Sequence, residues 1–220
     1  KQLNASTESV DRIVCGLRPE TPYPAGREGE DGRLITETVG RGCRRSSRQL
    51  FWCLVLFRLV RALRPAACLE LGTSFGISAA YQATALRLNR HGRMVTLEGD
   101  PASASVAERG FKTLGLDNVR LLHGRFEETL GPALDGLAPV DFVFFDADKY
   151  EDLLLACFEQ IVPFLAPTAV LVFDDIGWSA GMARAWATIG GDPRVKVSLD
   201  LGEMGIVALD PRIEKRDMIR

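Results

Sequence analysis

A chain of 220 residues is long enough for one domain with a sizeable core, and 46% hydrophobic and 25% charged residues are typical of a soluble globular protein. The net charge of −2 provides no overall attraction to nucleic acid or to an anionic membrane, so neither partner is expected. Five widely spaced cysteines without a Cys-x-x-Cys pair argue against a zinc site or a disulfide framework; they favour reduced thiols and a cytoplasmic location. The longest apolar run, Leu50 to Phe57, is far shorter than the roughly 20 residues of a membrane span.

Residues 1–45 are predicted to form a helix and a loop that precede the main domain. Weak helical spacing of apolar residues extends from Lys1 to Leu17. Prolines and glycines crowd the segment from Arg18 to Gly32, which predicts a loop rather than a regular element. This loop is either a surface connection or a lid that faces the substrate.

Residues 46–210 are predicted to form one α/β domain. A helix begins at the cap residues Ser46 and Ser47 and continues to about Arg64; apolar residues on most of its sides predict burial against the sheet. Beyond it, short apolar runs alternate with helical patterns, which is typical of a parallel sheet with helices on both faces. The predicted strands are Ala66 to Leu71, Met94 to Glu98, Val119 to His123, Val140 to Asp146 and Ala169 to Phe173. The predicted helices are Ile77 to Leu88, Ala102 to Thr113, Phe126 to Leu134, Tyr150 to Leu165 and Gly181 to Ile189.

The end of the domain departs from this alternation. Two apolar runs, Val195 to Leu199 and Ile206 to Leu209, are joined by a segment too short for a helix, so they are predicted to form an antiparallel hairpin. The fold class is therefore a doubly wound, mostly parallel α/β sheet that ends in a hairpin. The charged residues 211–220 are predicted to form a frayed tail.

Acidic residues and glycines gather at the ends of the predicted strands. They are Glu70 and Gly72, Glu98, Gly124, Asp146 and Asp148, and Asp174 and Asp175. In an open α/β sheet, ligands bind outside the carboxyl ends of the strands. Carboxylates concentrated there repel one another unless they accept hydrogen bonds, bind a cation or are partly protonated. The sequence therefore predicts a ligand site at these strand ends.

The turn after the first strand of the parallel sheet restricts the kind of ligand. In Gly72-Thr-Ser-Phe-Gly76, the glycines let the backbone bend and let a ligand approach N–H groups at a helix start. The turn lacks the third glycine of a dinucleotide-binding pattern, which disfavours a nicotinamide oxidoreductase, and the chain contains no P-loop. Glu98 is either an acceptor for two ribose hydroxyls or a neighbour of a helix cap.

Four segments together carry a family resemblance. They are Glu-Leu-Gly-Thr-Ser-Phe-Gly-Ile-Ser at residues 70–78, Glu98, Asp146-Ala-Asp-Lys149 and Asp174-Asp-Ile-Gly-Trp178. Over about residues 46–209 the chain resembles class I S-adenosylmethionine-dependent methyltransferases of the catechol and caffeoyl-CoA O-methyltransferase type. The resemblance implies a Rossmann-like sheet of seven strands, and an enzyme that transfers a methyl group to a hydroxyl of a small molecule. It also implies a homodimer.

The resemblance further implies a role for each matching residue. S-adenosylmethionine would be bound by Glu70, Gly72, Thr73, Gly76, Ser78, Glu98, Gly124, Arg125, Phe126, Asp146 and Asp148. Of these, Glu98 would bind the ribose and residues 124–126 the adenine edge. Asp146, Asp174 and Asp175 would bind Mg²⁺, and the catalytic residues would be Asp146 and Lys149, with the lysine as base. Mg²⁺ held by carboxylates can lower the pKa of an acceptor hydroxyl while a lysine accepts its proton.

Other interpretations stay open at these positions. The family usually has Asp-Asn where this chain has Asp174-Asp175, so the second carboxylate either strengthens a metal site or serves only as a hydrogen-bond acceptor. The three aspartates also fit strand-end caps without a metal, and Lys149 fits a solvated residue at a helix start. The alternative function is a metal-independent O- or N-methyltransferase of the same fold, and a cofactor-binding module without catalysis is a third. Trp178 is either a wall over an aromatic acceptor or a packing residue.

Overall fold

The computed structural model describes residues 22–28, 34–38, 41 and 50–214. The predicted N-terminal helix over residues 1–17 and the end of the charged tail lie outside these residues. None of the helices in the described part of the chain combines the length and the apolar character needed to cross a membrane.

The first two strands form a separate antiparallel pair, β1 (Pro22–Glu28) with β2 (Leu34–Thr38). The prediction of a loop over residues 18–32 is therefore wrong for β1. Pro22 pairs with Thr38 and Pro24 with Thr36. Because the two prolines are two residues apart, their missing N–H groups fall on the same edge of the strand. A two-stranded sheet leaves one edge of each strand unpaired, so both prolines can be accommodated.

The remaining elements alternate as the sequence predicts. In chain order they are α1 (Leu50–Leu63), β3 (Ala67–Leu71), α2 (Ile77–Asn89), β4 (Arg93–Glu98), α3 (Pro101–Thr113), β5 (Val119–His123), α4 (Phe126–Leu137), β6 (Val140–Phe145), α5 (Glu151–Ile161), a 3₁₀ turn (Val162–Phe164), β7 (Leu165–Asp174), α6 (Ala180–Gly191), β8 (Val197–Asp200) and β9 (Met204–Ala208). Most bounds lie within two residues of the predicted ones. The main differences are that β7 begins at Leu165 instead of Ala169, and that α5 ends at Ile161 instead of Leu165.

Seven strands form one sheet in the order β5-β4-β3-β6-β7-β9-β8. The pairs β4–β5, β3–β6 and β6–β7 are parallel, whereas β9 is antiparallel to both β7 and β8. This order confirms the predicted doubly wound sheet with a terminal hairpin, which is the Rossmann-like methyltransferase topology.

The described residues divide into two compact units. One contains the residues up to Arg64 and Thr73–Thr129; the other contains Pro65–Gly72 and the residues from Leu130 onward. In the second unit, β3, β6 and β7 form the core, because their continuous apolar runs suit strands that are covered on both faces.

In the first unit, α1 packs along α2. Asn89 donates from its side chain to the carbonyl oxygen of Val60 at 2.9 Å, and its own carbonyl oxygen accepts from Arg64 at 3.1 Å. The predicted burial of α1 on most sides is wrong in part: Leu56 and Phe57 are buried, but Phe51 is 62% exposed.

A glycine at position 72 is essential for the end of β3. Gly72 has a φ of +93°, and a Cβ atom there would lie 2.0 Å from the carbonyl oxygen of Asp146. We expect Gly72→Ala to lower the free energy of unfolding by about 2–4 kcal/mol, because it combines a strained φ with a backbone clash. Urea unfolding measures this change.

Gly136→Ala is the matched control, because Gly136 lies in α4 and a Cβ atom there meets nothing within 4 Å. It should raise stability by about 0.5–1 kcal/mol through helix propensity. Equal stability of the two variants would contradict the packing assigned to Gly72.

Candidate active site

In the first unit, the turn between β3 and α2 is held against β4. The backbone N–H of Thr73 donates to the carbonyl oxygen of Leu97 at 3.1 Å. The hydroxyls of Thr73 and Thr96 lie 2.5 Å apart, and both residues are buried. The turn therefore has a fixed position relative to the end of β4.

Glu98 ends β4 and organises the backbone around it. One carboxylate oxygen accepts the N–H of Ser74 at 2.6 Å, and the other accepts the N–H of Asp100 at 2.8 Å. Burial raises the pKa of Glu98 above its ordinary value, although the N–H donors of Asp100 and Ser74 lower it. Each oxygen can accept a further hydrogen bond, so Glu98 keeps the capacity to bind a pair of hydroxyls.

Gly76 is the N-cap residue of α2 and packs closely against α3. Its φ is +80°, and a Cβ atom there would lie 2.9 Å from both the Cβ atom of Ala107 and the ring of Phe111. The sequence predicts that Gly72 and Gly76 let the backbone bend and let a ligand approach. The structure provides a different reason, because both glycines make room for other parts of the chain.

The predicted adenine-edge segment follows β5. The N–H of Gly124 donates to the carbonyl oxygen of Glu98 at 2.9 Å, so this segment is tied to the end of β4. Phe126 is half-buried, whereas the side chain of Arg125 is 80% exposed and lies 3.5 Å from the carboxylate of Glu127. The structure thus brings Gly124 next to Glu98 and leaves Arg125 in solvent.

In the second unit, Glu70 lies inside β3 and is completely buried. Burial, with the nearby charges of Asp141 and Glu70, raises the pKa of the Cys68 thiol. This buried thiol is therefore uncharged at neutral pH and unsuited to act as a nucleophile. Ser78, in the first turn of α2 in the other unit, is also buried.

The carboxylates that follow β6 and β7 surround one ammonium group. Nζ of Lys149 lies 2.8 Å from Asp146, 3.4 Å from Asp175 and 3.7 Å from Asp174. The side chain of Asp174 is 1% exposed, and the other three are about one-fifth exposed. Three carboxylates thus lie within 4 Å of one ammonium.

A recess in the second unit opens beside this ammonium. Its charged lining consists of Asp148, Lys149 and Asp174. The rest of the lining is apolar or a thiol: Leu71, Phe145, Ala147, Leu153, Leu154, Cys157, Phe173 and Met182. Asp148 is exposed, whereas Lys149 is largely covered.

The carboxylates around Lys149 match a divalent cation in donor type. Mg²⁺ prefers oxygen donors, which all three side chains supply. Among the described residues, however, no group of three His, Cys, Asp or Glu side chains is arranged to hold a metal ion. The ammonium of Lys149 shares the oxygens that a cation would use.

The sequence analysis does not predict one ion pair that involves Glu151, two positions after Lys149. Arg184 in α6 binds the carboxylate of Glu151 at the start of α5 through two nitrogens. The two residues are 33 positions apart, and each belongs to an ordinary helical pattern. No local signal in the sequence indicates that they meet.

Comparison with known proteins agrees with this fold. The family model described as "Methyltransferase domain" matches residues 69–176. A catechol O-methyltransferase of Niastella koreensis is 41% identical over 83 residues, which are 37% of this chain and 37% of that protein. A transmembrane O-methyltransferase of Homo sapiens is 41% identical over 78 residues, 34% of this chain and 26% of that protein. The matched stretch thus spans roughly a third of these relatives or less.

Solved structures extend the likeness over most of the chain. The O-methyltransferase TomG from Streptomyces achromogenes, solved in complex with SAM, is 26% identical with a TM-score of 0.64. The alignment covers 77% of this chain and 86% of TomG. The chain is therefore similar to O-methyltransferases, both in the methyltransferase domain matched over residues 69–176 and in the fold that it shares with the SAM complex of TomG.

Proposed function

We propose that this protein transfers a methyl group from S-adenosylmethionine to a hydroxyl of a small molecule. The observation that carries the proposal is the Lys149 ammonium among three carboxylates at the ends of β6 and β7. The similarity to a catechol O-methyltransferase and to TomG, which was solved with SAM, supports the same chemistry.

We assign cofactor binding to the residues that the sequence resemblance implies. Glu98 binds the ribose hydroxyls, and residues 124–126 contact the adenine edge. Gly72 and Gly76 border the methionine portion, with Ser78 nearby, and Asp148 holds its ammonium. Glu70, Thr73 and Asp146 complete the set of proposed cofactor-binding residues. The two hydrogen bonds that Glu98 already accepts from the backbone support its role, because they fix the orientation of its carboxylate.

The protein contributes mainly positioning and proton transfer to this reaction. Methyl transfer from a sulfonium is an in-line displacement, so the enzyme mainly aligns two reactants and removes the proton of the acceptor hydroxyl. Lys149 takes that proton on Nζ, which requires that the ammonium first release one proton and that the resulting lone pair face the acceptor hydroxyl; the two remaining N–H bonds can still donate to Asp146. Mg²⁺ held by Asp146, Asp174 and Asp175 would lower the pKa of the bound hydroxyl.

A homodimer and a cytoplasmic location stay predictions. So does the role of residues 1–45, whose loop is either a surface connection or a lid that faces the substrate.

Trp178 is 71% exposed and donates its backbone N–H to the carbonyl oxygen of Asp175 at 2.9 Å. This exposure near the reacting groups supports its role as a wall over a flat aromatic acceptor.

The proposal is tested with S-adenosylmethionine carrying a labelled methyl group. Purified protein is incubated with vicinal diols, single phenols and amines, and products are analysed by mass spectrometry. We expect the label on the oxygen of a vicinal diol. Label on amines only would favour the N-methyltransferase alternative. Cofactor binding without any transfer would favour a binding module.

The binding of S-adenosylhomocysteine should depend on pH through Glu98. A protonated carboxyl loses an acceptor for the ribose hydroxyls, and the pKa of Glu98 is raised from its ordinary 4.5. Calorimetry should therefore show affinity falling as the pH drops through a value above 4.5. Glu98→Gln should bind roughly tenfold more weakly or worse at neutral pH and lose this pH dependence. The same pH dependence of affinity in Glu98→Gln and in the wild type would contradict the role of Glu98 in binding the ribose.

A cation at the three carboxylates would compete with the Lys149 ammonium. We expect Lys149→Met to bind Mg²⁺ at least about tenfold more tightly than the wild type, because the positive charge that shares those oxygens is gone. Asp175→Asn should weaken binding in either background. Calorimetric titration with Mg²⁺ alone measures both effects. Equal affinities of the two proteins for Mg²⁺, or no binding by either, would contradict the proposed Mg²⁺ site. Either result would favour the metal-independent methyltransferase.

A further inference from the structure

An arginine–carboxylate pair joins α5 to α6 at one end, and a second pair joins α5 to the segment that follows α6. At their N-terminal ends, Nε of Arg184 lies 3.2 and 3.1 Å from the two carboxylate oxygens of Glu151, and Nη2 lies 2.5 Å from the second oxygen. Near the C-terminal end of α5, the carboxylate of Glu159 lies 3.1 Å from Nη2 of Arg194, which belongs to the segment between α6 and β8. Helix α5 therefore carries two linkages of similar chemistry, of which only the N-terminal one reaches α6.

The N-terminal pair lies close in the chain to the reacting groups. Glu151 is the first residue of α5 and follows Lys149 by two positions. Arg184 lies in the second turn of α6, and the loop before α6 begins at Asp175, directly after Asp174 at the end of β7. The pair therefore connects the segment that carries the ammonium to the segment that carries two of its carboxylate partners.

The helices also approach each other closely at this end. A Cβ atom added to Gly181 would lie 3.4 Å from both the Cβ atom and a carboxylate oxygen of Glu151. The side chain of Arg184 is 64% exposed and that of Glu151 is 27% exposed. An exposed ion pair contributes little to stability, but a bidentate arginine fixes the relative orientation of the groups it joins.

We propose that Arg184 and Glu151 are positioning residues that hold the Lys149 ammonium at its distances from Asp174 and Asp175. The inference rests on the proposed methyl transfer for its effect on rate. Neither residue touches the reacting atoms; both act through the start of α5. A shift of about 1 Å in the position of a reacting group lowers the rate of an in-line methyl transfer.

Kinetics of Arg184→Gln and Glu151→Gln test this role, with Glu159→Gln as the matched control. Arg184→Gln and Glu151→Gln should each lower kcat about two- to fivefold, which is the size of effect that the loss of one exposed ion pair can have. Affinity for S-adenosylhomocysteine and the melting temperature should match those of Glu159→Gln. The charge-swapped double variant Glu151→Arg with Arg184→Glu should recover most of the lost kcat. A kcat equal to that of the control, or a swap without recovery, would overturn the proposal.

A second measurement does not depend on catalysis. Lys149 is labelled with an amine-reactive ester, and its modification rate is measured by mass spectrometry. The rate should rise about two- to fivefold in Arg184→Gln and Glu151→Gln, because the ammonium leaves its carboxylates more often. It should not change in Glu159→Gln. An unchanged rate in the site variants would overturn the positioning role.

The two measurements separate the positioning role from the proposed function. If the wild type transfers no methyl group but the labelling rate responds as expected, the proposed function fails and the positioning pair stands. If the wild type is active and neither measurement responds, the positioning pair fails and the proposed function stands.

Discussion

The sharing of one ammonium among three carboxylates is the interaction on which the second unit depends. Phe145 pairs with Phe173 in adjacent parallel strands, so the next residues, Asp146 and Asp174, emerge side by side. Asp174 is almost fully buried, and a buried carboxylate costs several kcal/mol unless a positive charge lies close by. Lys149 supplies that charge. The absence of a side chain at Gly72 lets the backbone of Asp146 approach the end of β3, where its N–H donates to Leu71 at 2.8 Å.

The first unit is organised around a single carboxylate in a comparable way. Glu98 accepts backbone N–H groups from the turn before α2 and from the start of α3, while the N–H of Gly124 donates to its carbonyl oxygen. One acidic residue thereby fixes three segments. The two units thus carry different chemistry: a hydrogen-bond acceptor suited to hydroxyls in the first, and a cluster of charged groups suited to proton transfer in the second.

Much of the fold could be predicted because continuous apolar runs and their polar ends are local signals. The strand ends at Glu98, Asp146 and Asp174 were recognised for this reason, and so was the short connection that forces the terminal hairpin. Pairings between distant segments have no such signal. The β1 strand was missed because its prolines are tolerated only on an unpaired edge, and the packing reason for Gly72 depends on a contact with Asp146. The convergence of three carboxylates on Lys149 and the Arg184–Glu151 pair likewise require the folded chain.

The central claim is that the Lys149 amine takes the proton of the acceptor. The rate of methyl transfer by Lys149→Met at saturating concentrations of both substrates tests it most directly, with the affinity for S-adenosylhomocysteine as the check on folding. Loss of a general base should lower the rate about 100-fold or more while the affinity is unchanged. A Lys149→Met enzyme that retains the wild-type rate to within about twofold would contradict the account, because that difference is far smaller than the contribution of a general base.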